Sequence, residues 1–161
     1  MTSTTSVTKV VTVNAPIQHV FDVFTRRFDS WWPRNHKIGK ADLQVAVMET
    51  HEGGRWYERD VDGSECEWGR VLAYTPPARI ALSWHLDGNW QYDPDPAHAS
   101  RVEVAFYVEA PTRTRVELTH SNLDRHGKDW EKVRDGVSSP GGWASLLEDF
   151  AKVVQQTAPA A

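Results

Sequence analysis

The 161-residue sequence is poor in cysteine and has no excess of basic charge, and each shortage excludes a class of protein. Cys66 is the only cysteine, which excludes an intramolecular disulfide framework and a zinc site built from several cysteines. Lys and Arg total 18 against 22 Asp and Glu, so the net charge is −4 and no basic excess is left to neutralise a phosphate backbone. We therefore expect no nucleic-acid partner.

Long apolar runs are also missing, and none approaches the length of a membrane span. Residues 1–6 lack the basic start and the apolar stretch of a secretion signal. We therefore expect no membrane insertion and a cytoplasmic location. The length predicts one domain, which we place at 7–157 between a disordered N-terminal tail at 1–6 and a C-terminal tail at 158–161.

The periods of the apolar residues predict both strands and helices. Residues 7–13 are rich in β-branched side chains, and apolar residues alternate with polar ones in several runs between 43 and 123, as in half-buried strands. Apolar residues recur every three or four positions over 17–28 and again over 143–154, which indicates two amphipathic helices. The sequence therefore predicts a strand, a helix, about six strands and a long C-terminal helix.

This order of elements predicts an α+β fold. An antiparallel sheet with one apolar face needs a cover, and the C-terminal helix is the only element long enough to supply it. We expect a curved sheet of about six to seven strands wrapped around that helix. A straight helix on a bent sheet leaves space between the two, so the fold also predicts an internal cavity.

Several short motifs occur in an order and spacing that resemble the START-related (SRPBCC) superfamily, and within it the homologues of the activator of the heat shock protein 90 ATPase. The motifs are 11–16 followed by Val20-Phe21, then 52–56, 69–72 with Pro76-Pro77, 82–84, 118–121, and Gly142-Trp143 with Leu146-Leu147. The resemblance covers roughly residues 7–155 and implies the helix-grip fold. Its members include lipid carriers, polyketide cyclases and co-chaperone domains, so it implies no single activity.

Tryptophan is the one residue that is unusually frequent, with eight in the chain. Four of them fall in the predicted sheet or the covering helix: Trp56, Trp68, Trp84 and Trp143. Each of these could simply pack the core, but several rigid indoles around one small cavity suit a flat or apolar ligand. Three others are expected at the mouth of the cavity or on the surface: Trp31, Trp32 and Trp90.

His120 is predicted on the inner face of the sheet, and Glu58 is either on that face or a solvated glutamate. His120 shares the face of the apolar residues in its strand, so it is either a neutral core histidine or a ligand anchor and acid–base group. If Trp56 faces the cavity, Glu58 does too, because side chains two apart on a strand point the same way. His85, in contrast, is predicted to face solvent, because it alternates with Trp84.

These observations lead to a binding hypothesis. We expect a small hydrophobic or aromatic ligand in the cavity, with no cofactor, no metal site and no assigned catalytic residue, in a monomer or homodimer. The candidate ligand-binding residues are Trp56, Glu58, Trp68, Trp84, Phe106, His120, Trp143 and Leu147. One alternative is a cyclase, dehydratase or hydrolase that uses Glu58 and His120 as acid and base. The other is a co-chaperone-like interaction module, which predicts a filled interior and a large exposed apolar patch. Any lid is expected in the 87–100 loop or the 129–137 helix.

Overall fold

The computed structural model of the protein describes residues 5–33 and 40–158. The strands are β1 (Val7–Val13), β2 (Leu43–Met48), β3 (Arg55–Asp60), β4 (Glu65–Thr75), β5 (Arg79–Trp84), β6 (Ser100–Ala110) and β7 (Arg113–Ser121). The α-helices are α1 (Ile17–Thr25), α2 (Phe28–Trp31), α3 (Trp130–Ser138) and α4 (Trp143–Thr157), and short 3-10 turns occupy Pro96–His98 and Leu123–His126. Within the described ranges, no helix combines the length and the apolar character needed to cross a bilayer.

All seven strands form one antiparallel sheet in the order β1-β7-β6-β5-β4-β3-β2. Strands β2 to β7 pair in chain order, each with its neighbour in the sequence, and β1 forms the edge of the sheet beside β7. The sheet curls around the long helix α4. The predicted α+β helix-grip fold is confirmed, with seven strands.

Irregularities in the strand pairing curve the sheet, since an extra residue in one strand bends it and increases its twist. One lies in β4, where Gly69 pairs with Trp56 and Glu67 with Tyr57, so that Trp68 is extra. A Cβ atom on Gly69 would lie only 1.8 Å from the carbonyl oxygen of Ser83. The missing side chain lets β5 approach closely enough for the Trp56 indole N–H to donate to that oxygen at 2.8 Å.

The core lies between the concave face of the sheet and one face of α4. The buried residues of α4 are Trp143, Leu146, Leu147, Phe150 and Val154, as their three- and four-residue spacing predicts. The predicted first helix is divided in two: α1 ends at Thr25, and α2 begins at Phe28. Both short helices pack against this core.

The expectation that Trp31 lies at a cavity mouth or on the surface is wrong. Its side chain is 3% exposed, and its ring lies 5.1 Å from Phe24 and 5.4 Å from Phe150. Its indole N–H donates to the carbonyl of Val23 at 3.1 Å. The turn between α1 and α2 causes this burial, because it places Trp31 against Phe24 of α1 and Phe150 of α4.

Candidate ligand-binding cavity

A cavity of about 370 Å³ lies between the concave face of the sheet, the corner where α3 meets α4, and the segment after β5. Its lining residues are Trp32, Trp68, Trp84, Leu86, Trp90, Gly136, Val137, Ser139, Gly141, Gly142, Trp143 and Leu146. None of them is an acidic or basic residue or a histidine. The wall is therefore mainly apolar, with one hydroxyl side chain and the buried indole N–H groups of Trp68, Trp84 and Trp143.

Five indoles form most of the wall and contact one another in an angled arrangement. The ring centres of Trp32 and Trp68 are 4.9 Å apart, and those of Trp84 and Trp143 are 5.7 Å apart. Trp84 also lies 6.4 Å from Trp90, at a steep angle. Angled packing of this kind is favourable for aromatic rings and fixes each ring in place. The cavity wall is thus built largely from indole rings that pack against one another.

The indole N–H groups of the wall are held differently. Trp84 donates to the carbonyl of Leu86 at 3.1 Å, and Trp143 donates to His120 at 3.1 Å. The N–H of Trp68 is buried and has no acceptor in the part of the chain that the structure describes. A buried donor without a partner costs about 1–3 kcal/mol, which an acceptor atom reaching it would recover.

Trp90 covers one side of the cavity and is its most exposed indole, at 45%. It stands at a positive φ of 59° in a turn that the Asp87 carboxylate organises by accepting the backbone N–H groups of Asn89 and Gln91. Gly136 of α3 lies directly beneath it, because a Cβ there would meet the ring at 2.8 Å. Trp90 thus lies at the edge of the cavity, partly exposed, in line with its predicted place at the cavity mouth or on the surface. Trp32, assigned to the same region, is buried and forms part of the inner wall.

Behind the wall, a chain of hydrogen bonds crosses from α4 to the segment after β7. The Trp143 indole, which can only donate, bonds to Nδ1 of His120. A neutral His120 therefore carries its proton on Nε2 and donates it to Ser100 Oγ at 2.6 Å. The Ser100 hydroxyl in turn donates to Nε2 of His126 at 2.7 Å.

Burial keeps this chain neutral. His120 is fully buried, and the loss of hydration, with a smaller contribution from His126, lowers its pKa to about 3. Burial also lowers the pKa of His126. Neither imidazole gains a proton readily near neutral pH, so His120 is poorly suited to act as a general base there.

The prediction that His85 faces solvent is wrong. Its side chain is 4% exposed, since the segment after β5 folds back over the outer face of the sheet. Nδ1 donates to the carbonyl of Asp93 at 2.8 Å, Nε2 accepts from Ser83 Oγ at 2.8 Å, and the ring stacks on Tyr92. Alternation placed His85 on the correct face of the strand but could not reveal what covers that face.

Three of the eight predicted site residues line the cavity: Trp68, Trp84 and Trp143. The other five are buried but outside its lining: Trp56, Glu58, Phe106, His120 and Leu147. Glu58 is buried but is not among the described residues that line the cavity. For all eight, a role in ligand binding stays a prediction.

Sequence analysis did not predict most of the other lining residues, many of which lie where α3 turns into α4. Leu146 could have been found, because it lies one helical turn after Trp143 on the same face of α4. Gly136, Val137 and Ser139 carried no such signal. Their place in the wall depends on how α3 turns into α4.

Residues 14–155 match the family described as Activator of Hsp90 ATPase homolog 1-like protein, and the chain belongs to this family. The resemblance to START-related proteins is thereby confirmed. No match was found among proteins of curated function.

Solved structures extend the comparison. The chain is 42% identical to an anthrahydroquino-gamma-pyrone synthase, Txn09, solved in complex with SUM; the match covers 92% of this chain and 96% of that one, with a TM-score of 0.66. It is 29% identical to CalC, a self-sacrificing resistance protein from Micromonospora echinospora, with 97% of each chain covered and a TM-score of 0.70. Protein MLL2253 from Mesorhizobium loti, 18% identical over 96% of this chain and 99% of that one, with a TM-score of 0.66, shares the fold.

Proposed function

We propose that this protein binds a small, flat, fused-ring aromatic molecule in the tryptophan-lined cavity. The observation that carries the proposal is the cavity itself, about 370 Å³ in volume and walled by five indoles. Pockets that hold drug-sized ligands range over about 300–1,000 Å³, so this one suits a compact guest. Binding is driven by the transfer of a planar aromatic guest from water into the space between the indole rings.

The composition of the wall narrows the chemistry of the guest. Because none of the described residues that line the cavity is acidic, basic or a histidine, a charged guest would lose its hydration without gaining a counter-ion from them. The guest we propose is therefore neutral and carries few polar atoms. The unpartnered N–H of Trp68 is a donor for an oxygen atom of the guest, whereas the Ser139 hydroxyl donates to the carbonyl of Gly136 at 2.7 Å and can only accept from a hydroxyl group of the guest.

The comparisons support an aromatic guest. The 42% identical neighbour is described as an anthrahydroquino-gamma-pyrone synthase, a name that refers to a fused-ring aromatic product. The 29% identical neighbour is described as a resistance protein. A cavity that takes up a fused-ring compound is compatible with the first description, and the second names no compound.

A fluorescence titration with a neutral hydroxyanthraquinone tests the proposal. Bound in the cavity, this probe lies against several indoles, so we expect saturable quenching of tryptophan emission with 1:1 stoichiometry. Leu146→Trp adds bulk to the lining and is expected to weaken binding at least tenfold. Equal binding by this variant, or quenching that never saturates, would contradict the proposal.

Trp130→Ala is the matched control for tryptophan emission. Trp130 lies in α3 outside the cavity lining, where the Arg134 guanidinium lies 5.1 Å from its ring centre. We expect this variant to bind the probe as the unmodified protein does. Circular dichroism on all variants separates loss of binding from loss of folding.

A second candidate function is enzymatic, and the 42% identical synthase favours it. In that case the cavity would fold a linear aromatic precursor so that a ring closes. Glu58 and His120 are poor candidates for the acid and base, since both lie outside the lining and the pKa of His120 is about 3. Incubation with an aromatic polyketide precursor, followed by mass spectrometry, distinguishes a catalyst from a carrier.

The interaction-module alternative has less support. It predicts a filled interior, whereas the space beneath Trp90 and Trp84 is open. Native mass spectrometry of protein purified from its own host distinguishes a ligand-binding protein from an interaction module. We expect a co-purifying small molecule, present mainly in one copy per chain.

A further inference from the structure

A second cavity, of about 400 Å³, opens on the outer face of the sheet and shares no lining residue with the tryptophan-lined cavity. Its floor is formed by side chains of β4, β5 and β6 that alternate with core residues, among them Leu72, Ser83 and Arg101. The segment after β5 supplies one wall, which includes Pro94 and Pro96. We refer to this second cavity as the outer groove.

The described lining of the outer groove contains three arginines and no acid. Arg70 and Arg101 lie on either side of Ser83: Arg101 pairs with Ser83 across β5 and β6, and the backbone N–H of Arg70 donates to the Ser83 hydroxyl at 2.9 Å. Neighbouring strands lie about 4.8 Å apart, so these two arginines stand on strands about 10 Å apart with a short side chain between them. Arg125 comes from the 3-10 turn after β7. Three positive charges thus line one groove of a chain whose net charge is −4.

Neighbouring carboxylates neutralise the two strand arginines only in part. The Arg70 guanidinium lies 3.3 Å from Glu67, and that of Arg101 lies 3.4 Å from Glu103. Glu103 is shared and lies closer to Arg79, at 3.0 Å. Ion pairs at the protein surface are individually weak, so a bound anion can replace these carboxylates at little cost.

The third arginine is unpaired, and the acids beside the proline wall do not compete for it. Arg125 forms no side-chain hydrogen bond or ion pair with the part of the chain that the structure describes. The Asp93 carboxylate accepts the backbone N–H of Asp95 at 3.0 Å and Nδ1–H of His98 at 2.9 Å. The Asp95 carboxylate accepts the backbone N–H of Ala97 at 2.9 Å. Neither acid belongs to the lining of the outer groove.

We propose that the outer groove binds a small organic molecule that carries a phosphate or carboxylate group on an apolar body. Guanidinium groups hold such oxyanions by charge-assisted hydrogen bonds, often two at once. The side chains of Leu72, Tyr92, Pro94 and Pro96 provide apolar surface for the rest of the molecule. The volume lies within the range of about 300–1,000 Å³ that small-molecule sites occupy.

Isothermal titration calorimetry with phenyl phosphate and with benzoate tests the site and distinguishes the two oxyanions. We expect one equivalent of at least one of these anions to bind, with an affinity that falls as the salt concentration rises, because salt screens exposed charges. Benzyl alcohol, a neutral molecule of similar size, is expected to bind at least tenfold more weakly. If neither anion binds saturably, or if the alcohol binds equally well, the proposal is wrong.

Variants assign the binding to the arginines. Arg101→Gln and Arg125→Gln are each expected to weaken binding of the anion at least tenfold. Arg113→Gln is the matched control, since this arginine is 53% exposed at the start of β7 and does not line the outer groove. Arg125 is exposed and lies outside every strand, so its variant is expected to fold even if Arg101→Gln does not. Unchanged affinity in Arg125→Gln, or an equal loss in Arg113→Gln, would refute the site.

The outer groove is independent of the tryptophan-lined cavity, and the experiment keeps the two apart. Calorimetry with the anions requires no hydroxyanthraquinone, so its result does not depend on whether the proposed aromatic guest binds. In protein that binds both probes, saturating phenyl phosphate or benzoate is expected to leave the hydroxyanthraquinone titration unchanged. Competition between the anion and the hydroxyanthraquinone would place both in one cavity and overturn the assignment to the outer groove.

Discussion

The indole N–H of Trp143 donates to Nδ1 of His120 at 3.1 Å, and this bond links the wall of the cavity to the buried core. It fixes the protonation of the imidazole, because a donor on one ring nitrogen requires that nitrogen to be unprotonated. It also orients the Trp143 ring. His120, which the sequence predicted as a possible ligand anchor, thus orients a tryptophan of the cavity wall instead.

His120 makes the stability of the protein depend on pH. Its pKa is near 6.5 in the unfolded chain and about 3 in the folded one, so the unfolded state binds the extra proton between these values. Stability is constant on this account above pH 6.5 and falls by about 1.4 kcal/mol per pH unit below about 6. Urea denaturation at several pH values measures this slope.

His120→Gln provides the comparison for that slope. Glutamine can accept from Trp143 and donate to Ser100 but does not titrate. We expect the variant to fold and to lose much of the pH dependence between 6 and 4, leaving the smaller effect of His126, whose pKa is also lowered. An unchanged slope would show that other groups dominate.

Substitutions of Trp90 and Trp56 are expected to differ in their effects on probe binding and on stability. Trp90→Ala removes a ring that is 45% exposed, so we expect a stability loss below about 1 kcal/mol but at least tenfold weaker binding of the hydroxyanthraquinone. Trp56→Ala empties a site that is 1% exposed and should cost about 3–5 kcal/mol. Thermal denaturation and fluorescence titration measure the two effects. Equal stability losses would contradict this division.

Gly136 is expected to control the position of Trp90. In Gly136→Ala the added methyl group would meet the indole at 2.8 Å, which forces Trp90 away from the cavity. We expect probe dissociation to accelerate several-fold in stopped-flow fluorescence. Asp135→Ala is the matched control, because this neighbouring residue of α3 has a 70% exposed side chain and is not among the lining residues. The idea fails if both variants release the probe at the same rate.

Tyr92 reports whether the segment after β5 is docked. Burial and its hydrogen bond to Glu67 at 2.5 Å raise the pKa of Tyr92 to about 12. Its neutral form stabilises the folded state below pH 10, and this contribution is lost as the pH rises towards 12. Glu67→Gln should lower the pKa, as seen by ultraviolet difference titration with Tyr92→Phe as the reference. A Tyr92 pKa near 10 in the unmodified protein would mean that the segment is free.

The seven strands and the gripped helix were within reach of sequence reasoning, since each signal is local. Alternation at 102, 104 and 106 and the helical spacing from Trp143 to Val154 both report which face of an element is buried. The family motifs gave the same architecture.

The tertiary structure alone decided what lies opposite each face. His85 alternates correctly yet is covered by a returning segment, and Trp31 is buried because the first helix breaks after Thr25. The cavity wall likewise depends on the corner at Gly136 and on the turn that holds Trp90. Sequence periodicity shows on which face of its own helix or strand a side chain lies. Burial depends on contacts between segments far apart in the chain, and only the folded chain defines those.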